Sequence, residues 1–127
     1  MIIMMANGTG IPASNVKVGD IIMSYDFATG KLVPSIITDV QALKSNNTYI
    51  FNNNLLVDSN EVMYVNGKWQ RAYNTKVGDK LFMPEYGNVT IYSIKIYNTS
   101  GGIVYDFLGS PIDNYIANGY VIDTIES

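Results

Sequence analysis

The sequence repeats itself at a spacing of 59 residues, and this repeat constrains the fold more than any other feature. Residues 4–23 align with residues 63–82 without a gap (Asn66 falls on Asn7, 66 − 7 = 59) and share nine identities, including two copies of Lys-Val-Gly-Asp. Two copies at this spacing do not suit a solenoid of stacked repeats. The repeat predicts a duplicated half-domain, with halves at about 1–58 and 59–127 packed about a pseudo-twofold axis. The alternative, one hairpin-and-turn motif used twice, would still give both copies the same local structure.

The segments around the repeat have the pattern of short β-strands. Asn7-Gly8 and Asn66-Gly67 each end an apolar run, and Asn118-Gly119 separates two more. Asn-Gly supplies the positive φ angles of a two-residue hairpin turn. Helical periodicity is missing, and only residues 12–16 and 70–75 suit single helical turns. The sequence therefore predicts one all-β domain over residues 1–127, a sandwich or barrel of short strands.

Two absences restrict the chemistry of the chain. Its 127 residues contain no cysteine and no histidine. This excludes disulfides, thiolate nucleophiles and cysteine-ligated metals, and it removes the usual general base at neutral pH. A net charge of −3 with scattered basic residues gives no footprint for nucleic acid. No apolar run approaches the roughly 18 residues of a membrane span, so we expect neither a nucleic-acid nor a membrane partner.

Four Asn-x-Ser/Thr sequons bear on where the protein resides. They are only mildly more frequent than the abundance of asparagine, serine and threonine predicts. They are compatible with an extracellular or cell-surface location, and nothing in the sequence excludes the cytoplasm. The localisation is therefore left open. The sequons begin at Asn7, Asn46, Asn88 and Asn98.

The order and spacing of these motifs resemble the Hint family, the module shared by inteins and the hedgehog autoprocessing region. The similarity includes the first Val-Gly-Asp turn at 18–20, the segment 57–69 followed by the second such turn at 77–79, and Asp106-Phe107 followed by a closing hairpin at 114–124. It covers essentially the whole chain. The resemblance implies an intein-like pseudo-twofold horseshoe of short strands, with long curved hairpins and one-turn helices.

Self-splicing in this family needs a nucleophile, an acid–base group and a terminal amide. The resemblance implies a Cys or Ser nucleophile several residues before the first strand, a role that Met1 does not fill. It places Asp58 and Glu61 at the family's Thr-x-x-His pair, and Asp123 and Thr124 at its closing His-Asn. A one-residue shift would instead place Asp123 at the Asn position, with Thr124 as the following hydroxyl nucleophile.

Asp58, Glu61 and Asp123 would approach one cleft if the fold is as implied. Clustered carboxylates suit a hard cation such as calcium, although we expect no cofactor and this is the weaker interpretation. They also suit a pair with one member protonated, which requires a pKa raised by several units. The plainest interpretation is a lost site, because Asp58-Ser59-Asn60 forms turns readily and the other two carboxylates would then be solvated.

The sequence as a whole predicts a degenerate Hint-like domain that does not splice and acts as a structural or interaction module in a larger protein. Its expected partners are flanking segments of its own polypeptide, and we expect a monomer. Whether it is an enzyme is left open, with inactivity favoured. The second hypothesis is a self-processing domain whose acidic centre (Asp58, Glu61, Asp123, with Thr124) slowly cleaves its own backbone near Asp123 or upstream of Met1. The third is a plain β-barrel binding module that shares only turns with the family.

Overall fold

The computed structural model describes residues 1–98 and 102–123, and this part of the chain consists mainly of short β-strands. The first seven strands are β1 Ile2–Met4, β2 Gly10–Pro12, β3 Ile21–Asp26, β4 Lys31–Ser45, β5 Thr48–Phe51, β6 Leu55–Asp58 and β7 Val62–Val65. The others are β8 Lys68–Arg71, β9 Lys80–Met83, β10 Gly87–Thr90, β11 Ile94–Tyr97, β12 Gly102–Ser110, β13 Asn114–Ala117 and β14 Tyr120–Asp123. Helical structure within the described residues is limited to two 3₁₀ turns, Ala13–Asn15 and Ala72–Asn74. The predicted all-β class is confirmed, and both turns lie in the ranges predicted for them.

Three antiparallel sheets form the curved, horseshoe-shaped body. The largest has the order β10-β9-β7-β14-β13-β1-β2, with β8 also paired to β7. The two smaller sheets have the orders β11-β5-β6 and β12-β4-β3. Each sheet therefore combines strands from residues 1–58 with strands from the later part of the chain.

One long strand, β4, gives the horseshoe its curved arm. Its first part pairs with β3, from Lys31 opposite Asp26 to Ile36 opposite Ile21. Its second part pairs with β12, and the register shifts between Leu108 and Gly109. A register shift of this kind bends a strand and increases its twist. Strand β4 therefore links β3, which begins in the first repeat copy, to β12, which comes much later in the sequence.

The two Lys-Val-Gly-Asp copies adopt the same hydrogen-bonded turn. In the first, the Lys17 N–H donates to Asp20 Oδ2 at 2.9 Å and the Asp20 N–H donates to Lys17 O at 3.0 Å. In the second, Lys76 and Asp79 make the same two bonds at 2.8 Å and 3.0 Å. The glycine before each aspartate has a φ of 93° or 96°, a region that favours glycine.

The three Asn-Gly dipeptides do not behave alike. Asn66-Gly67 and Asn118-Gly119 have positive φ at both residues and form the predicted two-residue turns, joining β7 to β8 and β13 to β14. The same prediction for Asn7-Gly8 is wrong. There Met4 pairs with Gly10, so residues 5–9 form a longer loop, because Met5 bridges to Ile22 on β3 instead of continuing the hairpin.

The core lies between the sheets and draws on both repeat copies. Equivalent positions 59 residues apart are buried together: Ala13 with Ala72, and Ile22 with Leu81. Apolar burial of this kind is the main favourable term in folding. Other side chains that are fully buried in this core include Ile3, Phe51, Leu55, Met63, Tyr115 and Ile122.

An aromatic cluster, consisting of Tyr25, Phe27, Tyr64, Trp69 and Phe82, joins the turn after β3 to the largest sheet. The ring centroid of Phe27 lies 4.3 Å from that of Tyr64 and 5.5 Å from that of Trp69. Tyr25 lies 5.2 Å from Phe82. The cluster holds the end of the β3–β4 hairpin against β7, β8 and β9.

The side chains of all four sequon asparagines are exposed at the surface. They are Asn7, Asn46, Asn88 and Asn98. In the described part of the chain, no helix is long and apolar enough to cross a bilayer.

Candidate functional site

Glu61 is the most deeply enclosed of the predicted site residues. It lies in the short turn between β6 and β7, with its side chain only 2% exposed. The Tyr115 hydroxyl on β13 donates a hydrogen bond to Glu61 Oε1 at 2.8 Å. The prediction that Glu61 is a solvated side chain is therefore wrong, because β13 and β12 pack over it.

Asp106 and Tyr115 complete the centre, although neither was among the predicted site residues. The Tyr115 hydroxyl also lies 3.3 Å from Asp106 Oδ1, which accepts the N–H of Phe107 at 3.0 Å. Asp106, like Glu61, is 2% exposed. The signal that could have identified it is an acidic residue at an inward position of an otherwise apolar strand, two residues after the buried Val104.

The surroundings of Glu61 favour its neutral form. Burial raises its pKa well above the ordinary value, and the charge of Asp106 raises it further. The hydrogen bond from Tyr115 opposes this shift, while the charges of Asp58 and Asp123 add smaller raising effects. A carboxylic acid in such a site can act as a proton donor at neutral pH.

Tyr115 is also held in its protonated form. Burial raises the pKa of its phenol well above the ordinary value, and the charges of Glu61 and Asp106 raise it further. A neutral phenol keeps the proton that it donates to Glu61 Oε1.

Asp58 and Asp123 flank this centre. Asp58 ends β6, where the Ser45 hydroxyl donates to Oδ1 and the Asn60 N–H donates to Oδ2 at 2.9 Å. Asp123 ends β14 and pairs with Val62, the residue after Glu61. The charges of both aspartates reach Glu61, so the structure brings the three predicted carboxylates to one region. Thr124, the fourth predicted site residue, lies outside the described residues.

A cation site has no support in this geometry. Within residues 1–98 and 102–123, no group of three or more aspartate or glutamate side chains is placed to hold a metal ion. The Glu61 carboxyl is bonded to Tyr115, and both Asp58 oxygens accept hydrogen bonds from neighbouring residues. These oxygens therefore do not converge as calcium ligands would.

A pocket of about 150 Å³ lies on the outer side of Glu61, open to solvent. Its wall is mostly apolar, with Glu61 as its acidic group. The pocket is lined by Met1, Pro12, Ala13, Ser14, Leu56, Val57, Glu61, Ile103, Val104 and Tyr105. Such an apolar wall suits an uncharged group better than an ion.

Solved structures with the same arrangement of strands identify the fold. The bacterial intein-like domain from Clostridium thermocellum superposes with a TM-score of 0.84 at 17% identity, covering 97% of this chain and 94% of that one. The chain has the intein-like Hint fold. The DnaB intein from Synechocystis sp. PCC 6803 gives a TM-score of 0.75 at 17% identity, covering 98% and 94%. The PabCDC21-1 intein gives 0.79 at 15% identity, covering 98% and 95%.

At these identities the likeness shows the Hint fold alone. The sequence matches no protein-family model and no curated protein sequence. Any activity of this Hint fold must therefore be argued from its own residues. These include an enclosed Glu61, Tyr115 and Asp106 in a chain without cysteine or histidine.

Proposed function

We propose that this chain is a degenerate Hint domain that does not splice and serves as a structural or interaction module within a larger polypeptide. The observation that carries the proposal is the enclosure of Glu61, which is 2% exposed and bonded to Tyr115. The resemblance implies a histidine at this position. A centre closed around this hydrogen-bonded carboxyl lacks the imidazole that the family's acid–base role requires, and the chain contains no histidine to supply it.

We propose further that the partners of the module are flanking segments of its own polypeptide, and that the domain is a monomer. Leu56 and Ile103 support the first point, because they are 41% and 54% exposed beside the pocket next to Met1. Exposed apolar side chains grouped around a concave site favour contact with another segment.

The domain limits belong to the same proposal. Residues 1–127 form one domain made by duplication, with halves at about 1–58 and 59–127. The shared turn geometry at residues 17–20 and 76–79 supports a common origin of the halves. So does the burial of equivalent residues 59 positions apart.

A fusion experiment tests the proposed inactivity. One reporter protein is attached before Met1 and a different one after Ser127, and the purified fusion is incubated at neutral pH. We expect intact mass spectrometry to show one full-length species and light scattering to give the mass of a single copy. A splicing-competent intein between the same reporters is the positive control. Fragments cut at either junction, or joined reporters, would contradict the proposal.

Slow self-cleavage is the second candidate function, and the raised pKa of Glu61 favours it. With Asp58 and Asp123 nearby, the neutral Glu61 could protonate a departing amine. The Asp123 carboxylate would attack its own main-chain carbonyl, and the bond to Thr124 N would break. Water would then open the resulting cyclic anhydride.

Variants of the same fusion separate the two candidates. Fragments that disappear in both Asp123→Ala and Glu61→Gln would support the acidic centre, because one variant removes the attacking group and the other the proton donor. Glu85→Gln changes an exposed glutamate and is the matched control. Fragments that persist in Asp123→Ala would contradict this second candidate.

A further inference from the structure

The three Asn-Gly dipeptides share one chemical reactivity but lie in three different settings. Glycine has no side chain to shield its backbone nitrogen. In an Asn-Gly pair this nitrogen can attack the side-chain carbonyl carbon of the asparagine. The sequence makes all three pairs equivalent, so any difference between them comes from the fold.

Asn66 and Asn118 are held at both ends of the carboxamide. The Oδ1 of Asn66 accepts the Lys80 N–H at 2.9 Å, and its Nδ2 donates to Asp79 Oδ1 at 3.1 Å. The Oδ1 of Asn118 accepts the Ile2 N–H at 2.8 Å, and its Nδ2 donates to Asn54 O. In both pairs the Nδ2 hydrogen bond ties the amine that must leave to a neighbouring group, and this bond must break before ammonia can depart.

Asn7 is held only through its oxygen. Its Oδ1 accepts the Thr9 N–H at 3.0 Å and the Thr9 hydroxyl at 2.6 Å. Its Nδ2 forms no hydrogen bond with the described part of the chain. Two donors at the carbonyl oxygen would stabilise negative charge that develops there, as they do in an oxyanion hole. The amide nitrogen faces no corresponding restraint on leaving.

We propose that Asn7-Gly8 is a site of spontaneous covalent modification in the folded protein, through a succinimide ring. The Gly8 nitrogen forms a bond to Asn7 Cγ and gives its proton to a solvent base. The Cγ–Nδ2 bond breaks, and the nitrogen takes a proton from water and leaves as ammonia. Water then opens the ring and leaves an aspartate or an isoaspartate linkage at position 7.

The loop has room for this reaction. No described atom lies within 4 Å of the position that a Cβ would occupy on Gly8, and Asn7, Gly8 and Thr9 are all exposed. One bond must open first, because the Gly8 N–H donates to Met5 O at 3.0 Å.

Peptide mapping of the aged protein tests the proposal. The full chain is incubated at mildly alkaline pH and moderate temperature, digested, and examined for the mass increase that accompanies replacement of –NH₂ by –OH. Hydroxylamine treatment detects the ring itself by cutting between residues 7 and 8. We expect modification at Asn7, with Asn66 and Asn118 in the same molecules converting at least about tenfold more slowly, the factor for roughly 1.4 kcal/mol of barrier.

Two comparisons make the test decisive. Thr9→Val removes the hydroxyl donor at similar size and is expected to slow conversion of Asn7 by about tenfold, as for loss of one bond to a developing charge. In denaturant the three pairs are expected to convert at similar rates. Conversion of Asn66 or Asn118 as fast as Asn7 in the folded protein would overturn the proposal. So would an unchanged rate at Asn7 in a folded Thr9→Val variant.

Discussion

At the scale of single residues, Glu61 shows how the fold sets the chemical state of a side chain. It is 2% exposed and faces Asp106 through the hydroxyl of Tyr115. Burial, more than any one neighbouring charge, raises its pKa. The folded protein therefore binds a proton there that the unfolded chain releases above about pH 4.3.

This difference in proton binding gives stability a defined pH dependence. Because the folded-state pKa of Glu61 is raised, proton binding at Glu61 adds to the free energy of unfolding. This contribution is fully present below about pH 4.3 and is lost as pH rises through the folded-state pKa. The wild type should lose up to about 1.4 kcal/mol of unfolding free energy per pH unit in that window. Glu61→Gln keeps an acceptor for Tyr115 and should remove this slope, as measured by urea denaturation between about pH 4.5 and 8.

Glu85→Gln, at an exposed position, is the matched control and should keep the wild-type slope. Parallel stability curves for the wild type and Glu61→Gln would show that Glu61 is not neutral in the fold.

The sequence identified only part of this centre, for a physical reason. The order of the sequence motifs predicts Asp58, Glu61 and Asp123. Asp106 and Tyr115 gain their role from β12 and β13, which lie far along the chain from Glu61 and reach it only through tertiary packing. A lone acid in an apolar strand carries little meaning until the strand's buried face is known.

At the scale of elements, the two Lys-Val-Gly-Asp turns are a matched pair within one molecule. Each aspartate accepts the N–H of the lysine three residues before it. Asp79 accepts a second bond, from Asn66 Nδ2 at 3.1 Å. The bond from the Lys76 N–H, followed by the one from Asn66, lowers the pKa of Asp79.

Replacing Asp20 and replacing Asp79 should lower the free energy of unfolding by different amounts. Asp20→Ala is expected to cost about 1 kcal/mol, as for loss of a helix or turn cap, and Asp79→Ala somewhat more because it loses two bonds. Since the pKa of Asp79 is lowered, its contribution is present above about pH 3.9 and is lost as pH falls through the folded value. The difference between wild type and Asp79→Ala, measured by chemical denaturation, should therefore shrink in acid.

Asp79→Asn keeps an acceptor oxygen and should retain part of the stability. Equal losses in Asp20→Ala and Asp79→Ala would mean that the Asn66 bond contributes nothing.

Sequence signals predicted turns better than strand lengths. Gly19-Asp20, Gly78-Asp79, Asn66-Gly67 and Asn118-Gly119 all form turns where expected, because positive φ depends on the local residue. The continuous strand β4, Lys31–Ser45, was not predicted as one element. Its continuity depends on pairing first with β3 and then with β12, which no local pattern encodes.

At the scale of the whole molecule, the aromatic cluster joins the β3–β4 arm to the largest sheet. Phe27 is its centre, in contact with Tyr25, Tyr64, Trp69 and Phe82. Phe27 and Trp69 are each 38% exposed. Such a contact stabilises less than a fully buried one, and it holds the arm against the sheet.

Truncation of Phe27 should loosen this junction. Phe27→Ala is expected to lower the unfolding free energy by about 1–3 kcal/mol, less than for a fully buried phenylalanine because the ring is partly exposed. Trp69 is the only tryptophan in the chain, so its fluorescence reports the site directly and should shift to longer wavelength.

Tyr86→Ala, at a ring that is 73% exposed, should change neither stability nor emission. An unshifted spectrum in Phe27→Ala would show that the cluster does not shield Trp69.

Every sheet combines early and late strands, so neither half of the chain can fold without the other. A peptide ending at Asp58 would carry β4 and β5 without the ladders that β12 and β11 supply. The remainder would carry β13 without β1. Each piece would expose unpaired strand edges that can pair with the other piece. If the chain were cut after Asp58, the two pieces would therefore have to associate before either could fold.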